Sequence, residues 1–235
     1  MNKSYNYFFL LFSLFINAES IVIDANLDEP EWDTAITINQ YSEVIPFTLQ
    51  PAEERTVAKI FSNESGIYVG FTNFQENSTM LSNKSLRDEI ANTADQNWIS
   101  IDFDNDREKA YLFFVTLANI KGDGIRRIGG WPEFDWDGDW EVKTKEYDGY
   151  WVSEFLIPWN VALMKNVDSE ERTINISTIR KIADKQSWIG DAETSARRTN
   201  FLLKLRPIQI KNYTQSKVNY FPYVSKTYNS VTGFN

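Results

Sequence analysis

A chain of 235 residues has room for one all-β domain with a sizeable core, or at most two small domains. It contains no cysteine and no histidine, which excludes disulfide frameworks, thiolate or imidazole metal sites, cysteine nucleophiles and serine–histidine triads. Its formal net charge of −9 opposes nucleic-acid binding, which needs a basic surface, and suits neutral ligands or hard cations such as calcium.

Taken in order, the chain opens with Lys3, an apolar run from Tyr7 to Ile16 and a small residue at Ala18. This is the pattern of a secretory signal peptide over residues 1–18, too short to span a bilayer easily. Export without cysteine suits a Gram-negative periplasm or cell surface better than an animal secretory route. Next comes IVIDANLDEPEWDTA. It predicts a short strand from Ile21 to Ile23, a turn, and one helical turn with Asp28 as cap, Pro30 in the first turn and Trp32 packed down. Residues 40–55 read as loop. Strands are expected over Thr56–Phe61 and over Ile67–Phe74, where Ile67, Val69 and Phe71 share one face. A polar stretch follows, with one short helix expected around Ser85–Ala91.

Trp98–Phe103 predicts a strand with Ile99, Ile101 and Phe103 inward, followed by an Asp104-Asn105-Asp106 turn. Ala110–Leu117 predicts a strand buried on both faces, and Gly122–Gly124 a turn. Five of the eight tryptophans then fall between Trp131 and Trp159. Asp148-Gly149 separates two alternating runs and predicts a two-residue type I′ hairpin. That turn sets a register of Tyr147 facing Tyr150, Glu146 facing Trp151, Lys143 facing Glu154 and Val142 facing Phe155. It leaves Trp140, Val142, Trp151, Phe155 and Ile157 on a core face, and pairs Lys143 with Glu154 on the other. Pro158 ends the hairpin, with a short helix expected over Trp159–Met164. Ile174–Ile182 and Phe201–Leu205 read as the last strands. The sum is an all-β, antiparallel, jelly-roll-like β-sandwich with a few short helices, over residues 19–206. Residues 207–235 lose the pattern and read as a tail outside the sandwich.

Two kinds of site stand out. Trp131, Phe134 and Trp136 lie in an acidic loop with no strand pattern to bury them, and Trp98 sits on the polar face of its strand beside Ser100 and Asp102. Aromatic rings cover the apolar face of a pyranose, so these four are the candidate sugar contacts; the competing role is to cap the end of the sandwich. Trp32, Trp140, Trp151, Trp159 and Trp188 read as core. The second kind is acidic: Asp102, Asp104 and Asp106, and Asp135, Asp137 and Asp139. Closely spaced aspartates can hold calcium, or can satisfy the backbone of their own turns. Neither run matches an EF-hand loop, and no carboxylate pair stands out as a glycosidase acid and base.

Four motifs in order, IDANLDEPEW, IYVGF, WISIDFDND and DWEVKTKEYDGYWVSEFLIPW, resemble the family 9 carbohydrate-binding module, in the variant found at the N-terminus of bacterial outer-membrane β-barrel proteins. The resemblance covers residues 21–205. It implies a sandwich that binds a polysaccharide or oligosaccharide end of the xylan or glucan class without cleaving it, with structural calcium nearby. It also implies a β-barrel partner, whose entry Asn219–Tyr223 (NYFPY) would form. The alternative expectation is a periplasmic or surface assembly domain of such a barrel protein, with no sugar ligand.

Overall fold

The computed structural model describes residues 21–84, 86–87 and 93–213. Two antiparallel sheets form a sandwich, and the only helical elements among these residues are the 3-10 turns Pro30–Asp33 and Phe201–Lys204. The first sheet contains β1 (Ile36–Ile38), β3 (Thr56–Ser62), β4 (Gly66–Phe74), β9 (Tyr150–Pro158) and β8 (Glu141–Tyr147), in that spatial order. The second runs β2 (Ser42–Ile45), β11 (Ser187–Gly190), β10 (Glu171–Ile182), β5 (Gln96–Asp102), β6 (Lys109–Thr116) and β7 (Lys121–Arg127), with β12 (Arg206–Lys211) also paired to β10.

Alternation places the core. Ile60, Val69, Phe71, Phe155 and Ile157 from the first sheet meet Ile99, Ile101, Phe113, Ile174 and Ile176 from the second. Trp140 and Phe155 stack at 5.8 Å. One inward patch is polar and fully paired: Asn73 and Asn97 exchange amide hydrogen bonds of 2.8 and 3.0 Å, and Ser153 donates to Asn97 at 2.8 Å. This network crosses between the sheets and holds their relative register.

The hairpin takes the expected register, Tyr147 to Tyr150 through Val142 to Phe155. Its turn differs. Of its two turn residues only Gly149 has a positive φ, +78°, which is the type II pattern and not type I′. Nothing lies within 4 Å of a Cβ built there, so Gly149→Ala should cost only conformational strain, about 1 kcal/mol. A urea melt of that variant superimposable on the wild type would reject this reading.

Several local expectations give way to tertiary contacts. Ile21–Ile23 is not a strand; the segment lies on the outer face of the first sheet. The 3-10 turn at Trp32 forms, but its N-cap is Glu29 with no side-chain cap bond, in place of Asp28. Residues 40–55 include β2. Gly122 and Gly124 are inside β7, because a Cβ at Gly122 would sit 2.2 Å from the Phe114 ring and one at Gly124 2.5 Å from the Glu133 carbonyl; the reversal is made at Asn119, φ 60°. Trp159–Met164 is a set of turns, and Phe201–Lys204 is 3-10. The closing strand is Arg206–Lys211, which pairs residue by residue with Glu171–Ile176. Pro207–Lys211 therefore belong to the sandwich, not to a tail. The signal segment, all of the expected Ser85–Ala91 helix except residues 86–87, and residues 214–235 lie outside the described residues.

One topological feature positions the site. β11 and β12 lie end to end along the same edge of β10, against Ile179–Ile182 and Glu171–Ile176 respectively. The chain between them, residues 191–205, must leave the sheet and return. It does so across the sheet's outer face.

Candidate functional site

The outer face of the second sheet carries Trp98, Phe114, Ile179 and Trp188, since these alternate with the inward residues of their strands. In water such a face would be a liability; here two loops cover much of it. The 191–205 excursion packs Phe201, Leu202 and Leu205 onto it, and the loop after β7 adds Phe134. Between the loops remains a cleft of about 420 Å³. Its floor is Trp98, Leu112 and Ile179, and its walls include Trp131, Phe134 and Trp188. The volume falls in the range of small-ligand sites.

The rings are held by each other. Trp98 stacks on Phe114 at 4.1 Å, meets Trp188 at 5.7 Å and Phe134 edge-on at 6.4 Å. Its indole N–H is spent on Gln96 Oε1 at 2.8 Å, so only its ring is offered to a ligand. Trp131 is 66% exposed and projects at the rim. Trp188 is half-buried, with the Lys181 ammonium 5.5 Å from its ring centroid; burial pulls that ammonium below its usual pKa.

Arg126 fastens the cleft. It is 2% exposed and donates to three backbone carbonyls: Gly130 at 3.2 Å, Ala196, and Arg198 at 2.6 Å. It thereby ties the turn after β7 to the 191–205 excursion, with its guanidinium 4.9 Å from the Phe201 ring centroid. Desolvation lowers its pKa, although a guanidinium remains charged at neutral pH.

Of the four aromatic candidates read from the sequence, Trp98, Trp131 and Phe134 line this one cleft. Trp98 does so from a buried position, 8% exposed; its face of the strand is covered, not open. Trp136 goes elsewhere. It packs on Tyr111 at 4.9 Å and Phe113 at 5.9 Å, against the main core, and closes the end of the sandwich. The loop that holds it is extended: Phe134, Trp136, Gly138 and Trp140 turn inward while Glu133, Asp135, Asp137 and Asp139 face solvent. Sequence reading placed Trp188 in the core and did not single out Arg126 or Arg197. A tryptophan beside an isoleucine in a four-residue strand does not reveal which of the two is inward, and both arginines are brought in by long-range packing.

The first acidic run is engaged by its own backbone, an amide and a cation, and one aspartate of the second by a cation. Asp102, 1% exposed, accepts from the N–H groups of Asp104 and Arg107 at 3.1 and 2.8 Å and from the Asn175 amide at 2.8 Å. Asp104 accepts from the Lys165 N–H at 2.7 Å, and Asp106 from the Lys165 ammonium at 2.7 Å. That ammonium holds the Asp106 carboxyl below its usual range. In the second run Asp137 pairs with Arg87 at 2.8 Å. Among the described residues no group of three or more acidic side chains is placed to hold a metal ion.

No protein-family model and no curated protein matches the chain. Solved structures do. A family 9 carbohydrate-binding module from Caldicellulosiruptor kristjanssonii, in complex with cellotriose, matches with a TM-score of 0.56 at 16% identity, over 88% of this chain and 96% of that one. The same organism's family 9 module with glucose matches at 0.56 and 17%, over 87% and 96%. A Bacteroides uniformis protein proposed to bind carbohydrate matches at 0.59 and 8%, over 77% and 88%. The chain thus has the fold of a family 9 carbohydrate-binding module.

Proposed function

We propose that this protein is a non-catalytic carbohydrate-binding module that seats a polysaccharide or oligosaccharide end in the cleft of Trp98, Trp131, Phe134 and Trp188. The observation that carries the reading is five aromatic rings, these four and Phe201, converging on one cleft of about 420 Å³. Trp98, Phe134 and Trp188 are already packed on one another and lose little entropy when a pyranose stacks on them. The fold neighbours, whose structures hold cellotriose and glucose, support the same ligand chemistry, and the resemblance suggests the xylan or glucan class. Lys3, the apolar run after it and Ala18 support export to the periplasm or outer surface of a Gram-negative cell.

Calorimetric titration of the mature chain with xylo-, cello- and alginate oligosaccharides tests this. Saturable heat with at least one sugar is the expected result. Silence across the panel from folded protein would favour the alternative, an assembly domain whose aromatic rim packs on an outer-membrane barrel. Repeating the titration in chelator tests the calcium that the resemblance implies: unchanged heats would remove the metal from the binding reaction.

A further inference from the structure

We infer that the cleft's ligand is an acidic glycan, one whose carboxylate or sulfate ester is held by Arg197 beside the aromatic wall. This rests on the carbohydrate reading and narrows it.

The chain as a whole is acidic, at −9, yet the cleft walls are not. Arg126 and Arg197 both line it. Arg126 is buried with only carbonyl oxygens and a phenyl ring around its charge, and no carboxylate pairs with it among the described residues. Burying a cation without a counter-charge is costly; carbonyl dipoles offset part of that cost and leave a positive field in the wall. Arg197 is exposed, and no described side chain takes its guanidinium. Arg198, next to it, is stacked at 3.9 Å over the Phe47 ring and likewise has no carboxylate partner among the described residues. Two nearby cations do have carboxylate partners, Arg127 in Glu133 at 2.7 Å and Arg206 in Asp191 at 3.4 Å. Arg126 and Arg197 thus bring positive charge to a cleft whose lining holds no carboxylate.

A guanidinium fork matches a carboxylate or sulfate with two parallel hydrogen bonds. The rings supply the stacking surface, and Ser100, the remaining polar residue of the lining, can serve a hydroxyl. A neutral sugar would use the rings and leave both arginines without a counter-charge. A xylan that carries uronate branches satisfies both halves of the site.

The test compares three probes on the mature chain and on Arg197→Gln: a galacturonate oligomer, a sulfated galactan oligomer and a neutral cello-oligosaccharide of similar length. Arg197 is exposed, so the variant should fold as the wild type does. The expected result is an acidic probe bound about tenfold or more tighter than the neutral one, weakened by added salt. Arg197→Gln should lose most of that advantage, weakening the acidic probes about tenfold while changing the neutral affinity far less. Whichever acidic probe shows this behaviour names the anion. Neutral and acidic probes bound equally, or acidic binding indifferent to Arg197→Gln, overturns the inference and leaves the carbohydrate reading standing. Silence from all three probes overturns both.

Discussion

Trp131→Ala is expected to weaken carbohydrate binding at least about tenfold while leaving the melting temperature where it was. The ring is 66% exposed at the rim of the cleft, so the fold draws little from it. Aromatic anchors at binding sites typically cost about 2 kcal/mol or more when truncated, and 1.4 kcal/mol is already a factor of about ten. Trp188→Ala should match the loss in affinity and add a modest loss of stability, because its half-buried ring packs on Trp98 at 5.7 Å. Trp136→Ala should do the opposite. Its ring fills space between Tyr111, Phe113 and Gly138, and emptying such a site costs about 3 kcal/mol, with affinity retained by the folded fraction. Paired titrations and melts of the three variants decide the matter. Binding lost in Trp136→Ala alone, or unchanged in both Trp131→Ala and Trp188→Ala, would move the ligand out of this cleft.

The second large effect is on stability against pH, at Glu154. Sequence pairing set Glu154 against Lys143 on an exposed face, and the register is as expected, but no ion pair forms between them among the described contacts. The N-terminal segment lies over that face and covers Glu154 completely, at 0% exposure. Glu154 Oε2 accepts the N–H groups of Asp24 and Ala25 at 2.9 and 2.8 Å, while Oε1 has no partner. The hairpin fastens the same segment from the side, with Tyr147 and Lys145 both reaching Asn26 Oδ1 at 2.6 and 2.7 Å. Opposite Glu154 in β4, Gly70 leaves room for Leu27 and Trp32, which a Cβ there would meet at 2.7 and 3.0 Å.

Burial first, and then the charges of Glu29 and Asp24, push the Glu154 carboxyl from 4.5 to about 7, against the pull of the two backbone N–H groups. The sign follows. Below about pH 4.5 the group is protonated in both states and stability is full. As pH rises toward 7 the unfolded chain ionises while the folded one stays neutral, so stability falls; above 7 the loss is complete. Discounted for screening, the loss is on the order of 1–2 kcal/mol, which is a few degrees in a chain of this size. Glu154→Gln, permanently neutral, should lack it. Asp95 and Asp191 are also raised by burial and add to the trend, so the difference between wild type and variant is the quantity to measure, by thermal melts at pH 5 and pH 8. A difference that does not grow with pH would show that Glu154 is not the titrating group.

The elements legible in the sequence are those with a local cause. Strands β3, β4, β5, β8, β9 and β10 declare themselves by alternation, β6 by a continuous apolar run, and the 148–149 turn by its glycine. The hairpin register was readable to the residue because a two-residue turn leaves no freedom. The elements misread share a different cause. Gly122 and Gly124 look like a turn, but they are strand residues thinned to admit the Phe114 ring and the Glu133 carbonyl. Phe201–Lys204 has the composition of a strand and is a 3-10 turn seated on the second sheet. Trp98 shows a polar-face position, and nothing local says that two loops will roof that face.

By itself, then, the sequence determined the class of the fold, the inward faces of its main strands, the absence of thiol and imidazole chemistry, and three of the rings that line the cleft. Those follow from period, turn chemistry and composition, which act over a few residues. Only the tertiary structure decided that Trp98, Trp131, Phe134 and Trp188 meet, that Trp136 does not join them, and that Arg126 and Arg197 stand in the same wall. It also decided that Asp102, Asp104 and Asp106 are engaged by their own turn, Asn175 and Lys165, and Asp137 by Arg87. The reason is that the cleft exists only because β11 and β12 share one edge of β10. That pairing sends residues 191–205 across the outer face, and no local pattern encodes a contact between strands separated by that excursion.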